Sequence, residues 1–146
     1  MKKKSAYNIS WNNNVFITTV TGTINIDDTN RVLNQLKLDV QKLKGSSWGN
    51  LVDVRHWELS SADISQVLIK LEDWVKKNGR THLVFVLGTE YVELKKFALE
   101  KYLGNNLKKK EVVLVESLTE GLAWLSKQGF DLKSEEQVEP SFQNQK

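Results

Sequence analysis

The sequence predicts an α/β domain: a single mixed, partly parallel five-stranded sheet with an N-terminal hairpin and about four crossover helices. Three observations carry that expectation. Four times in succession a short β-branched apolar stretch runs into a helix-period segment: Val15–Ile24 into Asp28–Lys44, Asn50–Val54 into Ser61–Asn78, Leu83–Leu87 into Tyr91–Leu103, and Val112–Val115 into Leu118–Gln128. Consecutive parallel strands need a long connection, so this alternation builds one sheet with helices packed on it. Leu83-Val84-Phe85-Val86-Leu87 is apolar at every position, the pattern of a central strand covered on both faces. Ahead of the repeat, Tyr7, Ile9 and Trp11 alternate with Asn8 and Ser10, and Asn12-Asn13-Asn14 supplies a turn, because Asn tolerates positive φ and bonds its own backbone.

Taken in order, the second hairpin arm is Val15–Ile24, whose Thr18, Thr19, Thr21 and Thr23 suit a partly solvated strand. The first helix carries Leu33, Leu36, Val40 and Leu43 at spacings of three and four, with Asp27 or Asp28 as its N-cap and Gly45 beyond its end. After the Gly45–Gly49 loop comes strand three. The second helix has the strongest pattern, with Ile64, Val67, Leu68, Leu71, Trp74 and Val75 on one face and Gly79 as its stop. Leu94, Phe97, Ala98 and Tyr102 mark the expected core face of the third helix, closed by Gly104. Leu118, Leu122 and Leu125 place the last helix on the sheet. Trp74, Phe85, Phe97 and Trp124 are large enough to predict a solid core.

A chain of 146 residues with 40% hydrophobic content fits one domain with one core. The body is expected over residues 5–130, with residues 131–146 a disordered polar tail, since beyond Phe130 periodicity gives way to Lys, Ser, Glu, Gln and Asn. The absence of cysteine excludes disulfide stapling, thiol catalysis and thiolate metal sites. Lys2, Lys3 and Lys4 precede no apolar h-region, and no apolar run is long enough to span a bilayer, so a cytoplasmic location without stable membrane insertion is expected. Net charge is +3, and three of the positive charges are those N-terminal lysines. The near balance elsewhere argues against nucleic acid as a partner.

No loop after a strand holds the glycine spacing or P-loop lysine that phosphate binding requires; Gly88 alone reads as a strand-exit turn. His56 and His82 fall at opposite ends of parallel strands and lack a third ligand, so neither a metal nor another cofactor is expected. Asp53, Arg55 and His56 stand at the carboxyl end of strand three, the edge where open α/β sheets place ligands. Asp53 points opposite Val52 and Val54, and Arg55 on its own face is the simplest partner for the carboxylate. Trp57, in the loop after strand three, is a partner anchor if exposed and a core residue if it packs under the second helix. Ser60 with Asp63, and Ser117 with Glu120, have capping-box spacing. Ser60 and Ser61 also sit where a phosphoryl group would meet free helix amides. Lys108-Lys109-Lys110 reads as a solvated loop.

Asn50-Leu51-Val52-Asp53-Val54-Arg55 leading into Ser60-Ser61-Ala62-Asp63-Ile64, together with the ending Val112-Val113-Leu114-Val115-Glu116-Ser117-Leu118-Thr119-Glu120-Gly121-Leu122-Ala123-Trp124-Leu125, resembles the STAS domain superfamily. The branch is that of the SpoIIAA-like bacterial proteins, sometimes grouped with the CRAL-TRIO lipid-transfer fold. The resemblance implies a mixed sheet with helices on its faces and a non-enzymatic regulatory or binding role. It also implies a serine switch in an Asp-Ser-Ser-Gly-like turn, matched here by Leu59-Ser60-Ser61-Ala62, which has neither that Asp nor that Gly.

The expected function is therefore a STAS-like regulatory or protein-interaction module without catalytic activity. Its partner-binding or switch candidates are Asp53, Arg55, His56, Trp57, Ser60 and Ser61, with a protein partner or a second copy as occupant. The alternative is a carrier of a lipid or small apolar ligand. A third reading is a hydrolase or transferase using Asp53, Arg55 and His56.

Overall fold

Asn13 takes the left-handed conformation, with φ of 51°, and turns the chain between β1 (Tyr7–Asn12) and β2 (Val15–Gly22). The two strands pair antiparallel from Tyr7 opposite Val20 to Asn12 opposite Val15. This computed structural model describes residues 6–58, 60 and 64–133. From β2 onward the expected alternation is present: α1 (Ile26–Gln41), β3 (Trp48–Trp57), α2 (Ile64–Lys77), β4 (Arg80–Val86), α3 (Val92–Leu103), a 3-10 turn (Gly104–Lys108), β5 (Val112–Val115) and α4 (Leu118–Lys127). The strands lie in sequence order, β1-β2-β3-β4-β5, and every pair after the hairpin is parallel. The fold is the mixed five-stranded α/β sheet that the sequence predicts. Three of its helices are crossovers, and α4 follows the last strand.

The pleat divides the side chains between two cores. Phe16 and Val20 of β2, Trp48 and Val54 of β3, and Leu83 and Phe85 of β4 are buried on the face covered by α1, α2 and α3. Val15, Leu51, Val84 and Val86 point to the other face, where Leu125 of α4 and the partly buried Phe130 and Leu132 cover them. Leu83 through Val86 of β4 are all buried, as expected of a strand with helices on both sides. A Cβ built on Gly121 of α4 would lie 3.0 Å from Leu51 Cδ1 and 3.5 Å from Val84 and Val86, so only glycine lets this helix approach so closely.

Several boundaries and roles differ from the sequence reading. The N-cap of α1 is Asn25, whose side chain accepts from the Asp28 amide at 2.8 Å. Asp28 is buried instead, accepting from the Ala6 amide at 3.2 Å and paired with Arg31. Strand three runs on to Trp57, so this indole belongs to the sheet and not to a loop. Its ring lies 6.4 Å from Tyr102 of α3, so it packs against the third helix where the second was expected. Leu94 and Phe97 are 52% and 56% exposed, and the core face of α3 is formed by Lys95, Leu99 and Leu103. Phe97 cannot fill the core from there, and a cavity of about 140 Å³ lies between the sheet and α1–α3. The core is not solid, because Trp74, Phe97 and Trp124 all lie away from that space.

Other expectations hold. Ser117 and Glu120 form the reciprocal capping box of α4, with the Glu120 amide donating to Ser117 Oγ at 3.1 Å and the Ser117 amide donating to Glu120 Oε1 at 3.0 Å. Ser61 and Asp63, and with them the proposed cap of α2, fall outside the described residues. Contacts of the body run three residues past Phe130: Asn12 is fully buried and exchanges two hydrogen bonds with the Lys133 backbone, at 2.8 and 3.0 Å. The rest of the expected tail, residues 134–146, lies outside the described residues.

Two outcomes follow from this packing. Gly121→Val will drive a branched side chain into Leu51 and lower the unfolding free energy by about 1–3 kcal/mol, read from urea midpoints. Tyr7 is buried with its hydroxyl 2.9 Å from Thr29 Oγ1, and burial pushes its pKa up to about 12. The folded state then holds a proton that the unfolded chain releases near the ordinary tyrosine value of about 10. Stability is therefore lost as pH rises from about 10 to about 12. Tyr7→Phe will show a shallower loss across that window, measured as the difference in midpoints between the two proteins.

Candidate functional site

The carboxyl ends of parallel strands leave carbonyl groups without partners, and open α/β sheets bind ligands there. In this chain a cleft of about 640 Å³ lies at that edge, between the ends of β2 and β3 and the first turns of α3. Thr21, Arg55, His56, Trp57 and Glu58 line one wall; Glu90, Tyr91, Leu94, Lys95 and Ala98 line the other.

Asp53 and Arg55 form the predicted same-face pair. The Arg55 guanidinium donates to Asp53 through Nε at 3.0 and 3.2 Å and through Nη2 at 2.8 Å. The Asp53 carboxylate also accepts from the Arg55 amide at 3.1 Å. Asp53 is only 3% exposed, so the pair presents its cation outward and keeps its carboxylate inside. Gly88, with φ of 73°, makes room for the arginine stem: a Cβ there would lie 3.1 Å from Arg55 Cγ. Its amide donates to the Glu116 carbonyl at 3.0 Å, so it is not free to cradle an anion.

Lys95 is the site residue that sequence reasoning missed. It is 5% exposed, and its ammonium donates to the carbonyls of Leu87, at 2.8 Å, and Arg55, at 3.0 Å. A ligand at this edge would meet those carbonyls; here the chain's own lysine takes them and ties α3 to the ends of β3 and β4. Burial pushes the Lys95 pKa down from the ordinary lysine value, against the opposing pull of the Glu90 and Asp53 carboxylates. The signal was present as the spacing Lys95, Leu99, Leu103, but a charged residue at the centre of a helical stripe reads as surface. The stripe drawn through Leu94 and Phe97 was the consequence.

The other candidates separate. His56 is exposed on the cleft wall, and among the described residues no hydrogen bond joins it to Asp53 or Arg55. Trp57 is half-buried and donates its indole N–H to Ser60 Oγ at 3.1 Å, which fixes the chain leaving the strand. Ser61 lies outside the described residues. His82 sits at the opposite end of the sheet between the rings of Trp124 and Phe130, each centred 5.5 Å away. Among the described residues no three His, Asp or Glu side chains converge as a metal site, and no helix is long and apolar enough to cross a membrane.

The outer rim of the cleft is apolar. Tyr91 is 76% exposed and holds a left-handed conformation, with φ of 54° and ψ of 35°, as the N-cap of α3. A bulky residue there carries a strain of about 1–2 kcal/mol. Leu94 follows on the same helix, and Phe97 continues the exposed surface with the Lys101 ammonium 4.7 Å from its ring centre.

The five-stranded mixed sheet in sequential order, with α1–α3 on one face and α4 on the other, has a SpoIIAA-like α/β fold. Solved structures bear this out. An uncharacterized DUF3478-family protein from Shewanella loihica, described as having a SpoIIAA-like fold, superposes with a TM-score of 0.64 at 17% identity, covering 86% of this chain and 98% of that one. The anti-sigma factor antagonist SpoIIAA in its unphosphorylated form superposes with a TM-score of 0.54 at 7% identity, covering 86% and 100%. At these identities the likeness is one of fold. No family model matches the chain, and no curated protein matches it.

Replacing Lys95 by Met will keep the aliphatic stem and leave the Leu87 and Arg55 carbonyls without their cation. Unfolding free energy should fall by about 1–3 kcal/mol, measured by denaturant titration. Amide exchange should quicken in the first turns of α3 before it quickens in β3.

Proposed function

We propose that the chain is a non-catalytic regulatory module that works in the cytoplasm by binding a protein partner at the carboxyl edge of its sheet. The observation that carries this reading is a cleft in which Asp53 and Lys95 are already engaged while Tyr91 and Leu94 stand exposed at its mouth. General acid–base catalysis needs a group free to exchange a proton with a bound substrate. Asp53 is enclosed by Arg55 and Lys95 is engaged by two carbonyls, while the exposed His56 joins neither and, among the described residues, no hydrogen bond from Asp53 orients its ring. The surface left to a visitor is Tyr91, Leu94 and the edge of Trp57, bordered by Arg55, His56, Glu58 and Glu90. An aromatic and aliphatic centre with a charged border is the composition of protein interfaces. Strain at Tyr91 is in keeping with this, since backbone held in costly conformations concentrates at functional sites.

SpoIIAA, an anti-sigma factor antagonist by its own description, supplies a regulatory precedent on the same fold. Ser60 belongs to the same region, and a phosphoryl group there would offer the Trp57 indole N–H a charged and stronger acceptor. The lipid-carrier reading asks for an apolar pocket of roughly 300 Å³ or more; the apolar cavity offers about 140 Å³, and the cleft of about 640 Å³ is bordered by Arg55, His56, Glu58 and Glu90.

Tyr91→Gly separates binding from folding. Glycine adopts the left-handed conformation without strain, so stability should be unchanged or raised by up to about 1 kcal/mol. The protein captured from native cells by the tagged full-length chain should fall severalfold, and Leu94→Asp should do the same. A second copy of this chain as the captured species would make the interface homodimeric. Undiminished capture by both variants would remove the cleft from the interaction.

A further inference from the structure

The cavity between the sheet and α1–α3 shares the Trp57 side chain with the cleft as a common wall. It holds about 140 Å³, is partly open to the surface, and is walled mostly by apolar side chains such as Val20, Leu36, Leu68, Phe85 and Leu99. Its polar lining is almost entirely self-satisfied. Tyr7 pairs with Thr29 at one end. At the other, Arg80 and Glu72 form a buried bidentate pair at 2.9 and 2.5 Å.

Asn50 is the exception. Its Oδ1 is buried, and among the described residues it has no hydrogen-bond partner. Asn50 lies on β3 directly opposite Phe16 of β2 and Leu83 of β4, with Trp48 and Val52 two residues to either side on the same face. A buried acceptor without a partner is costly, and native proteins rarely retain one without a reason. A water would need two to four polar partners, and the direct neighbours of this amide are apolar.

We propose that this cavity is a binding site for a small, neutral, compact ring compound carrying one hydrogen-bond donor, with the donor directed to Asn50 Oδ1. Volume sets the size. An apolar cavity of about 150 Å³ accepts benzene, so the occupant has about six or seven heavy atoms. The lining sets the polarity: apolar over most of its surface, with a single hydroxyl or amine. Charge is disfavoured because Glu72 and Arg80 already neutralise each other in the same wall. The inference does not depend on the cleft or on any protein partner.

Phenol and benzene are the probes that test it, titrated into the full-length chain and followed by amide chemical shifts. Phenol should bind about tenfold more tightly than benzene, the difference expected for one hydrogen bond to an otherwise unpaired acceptor, and the shifts should centre on Asn50, Val52, Leu68 and Phe85. Asn50→Leu, close in volume, should raise the melting temperature by removing the orphaned acceptor. It should also abolish the preference for phenol while keeping benzene binding. Leu68→Trp, which fills the space, should abolish both. Equal affinity for the two probes in the parent protein overturns the role of Asn50. If neither probe moves the resonances of the cavity residues, the space takes no such ligand and the proposal fails. Should Asn50→Leu not fold, the ratio of affinities in the parent decides by itself.

Discussion

A parallel sheet has to be covered on both faces, because its strands are apolar on both, and among the described residues a single ten-residue helix covers the second. Much of the structure answers to that constraint. Gly121 brings α4 within contact of Leu51, Val84 and Val86, which a side chain would hold off. Phe130 and Leu132 extend the cover beyond the helix, and Phe130 lies so close to Gly49 that a Cβ there would meet its ring at 3.1 Å. The clasp between Asn12 and Lys133 then anchors this last segment to the hairpin. Helices α1–α3 crowd the opposite face, where packing is looser and the cavity lies.

The two faces also set what happens at the carboxyl edge. Asp53 projects toward the α4 side, where it would be a buried anion, and Arg55 two residues on supplies the counterion. Lys95 reaches the same edge from α3 and takes the carbonyls of both β3 and β4. These cations hold the strand ends as a ligand would in other α/β proteins. What the edge offers outward is therefore the apolar surface of Tyr91 and Leu94 beside the exposed His56, Glu58 and Glu90, with Asp53 and Lys95 already engaged.

The fold was legible because its signals are periodic. Val15–Ile24 and the all-apolar Leu83–Leu87 follow strand patterns, and Leu36, Val40 and Leu43 follow a helical one, so element type and order emerge from spacing alone. The site was legible only where chemistry is local. The pairing of Asp53 with Arg55 follows from two-residue spacing on a strand, whereas Lys95 finds its partners 8 and 40 residues away. The same limit explains α1, where Asp28 has the character of a cap but is drawn into the core by the Ala6 amide across 22 residues. The cavity was hidden for another reason: the residues large enough to fill it are present, but Phe97 faces solvent because Lys95 claims the inner stripe.

The order of the strands gives the chain a direction during synthesis. Each β–α unit adds to the growing edge of the sheet, so pairing can proceed as the polypeptide emerges, without waiting for a distant strand to insert. The α1–α3 face is completed as it grows. The face bearing Val15, Leu51, Val84 and Val86 stays bare until residues 118–132 have left the ribosome. A nascent chain halted before that point presents a greasy, nearly complete sheet, the kind of surface that holdase chaperones recognise and that aggregates when they are absent. The helix α4 thus closes this domain, and products truncated before it betray themselves by the face they cannot cover.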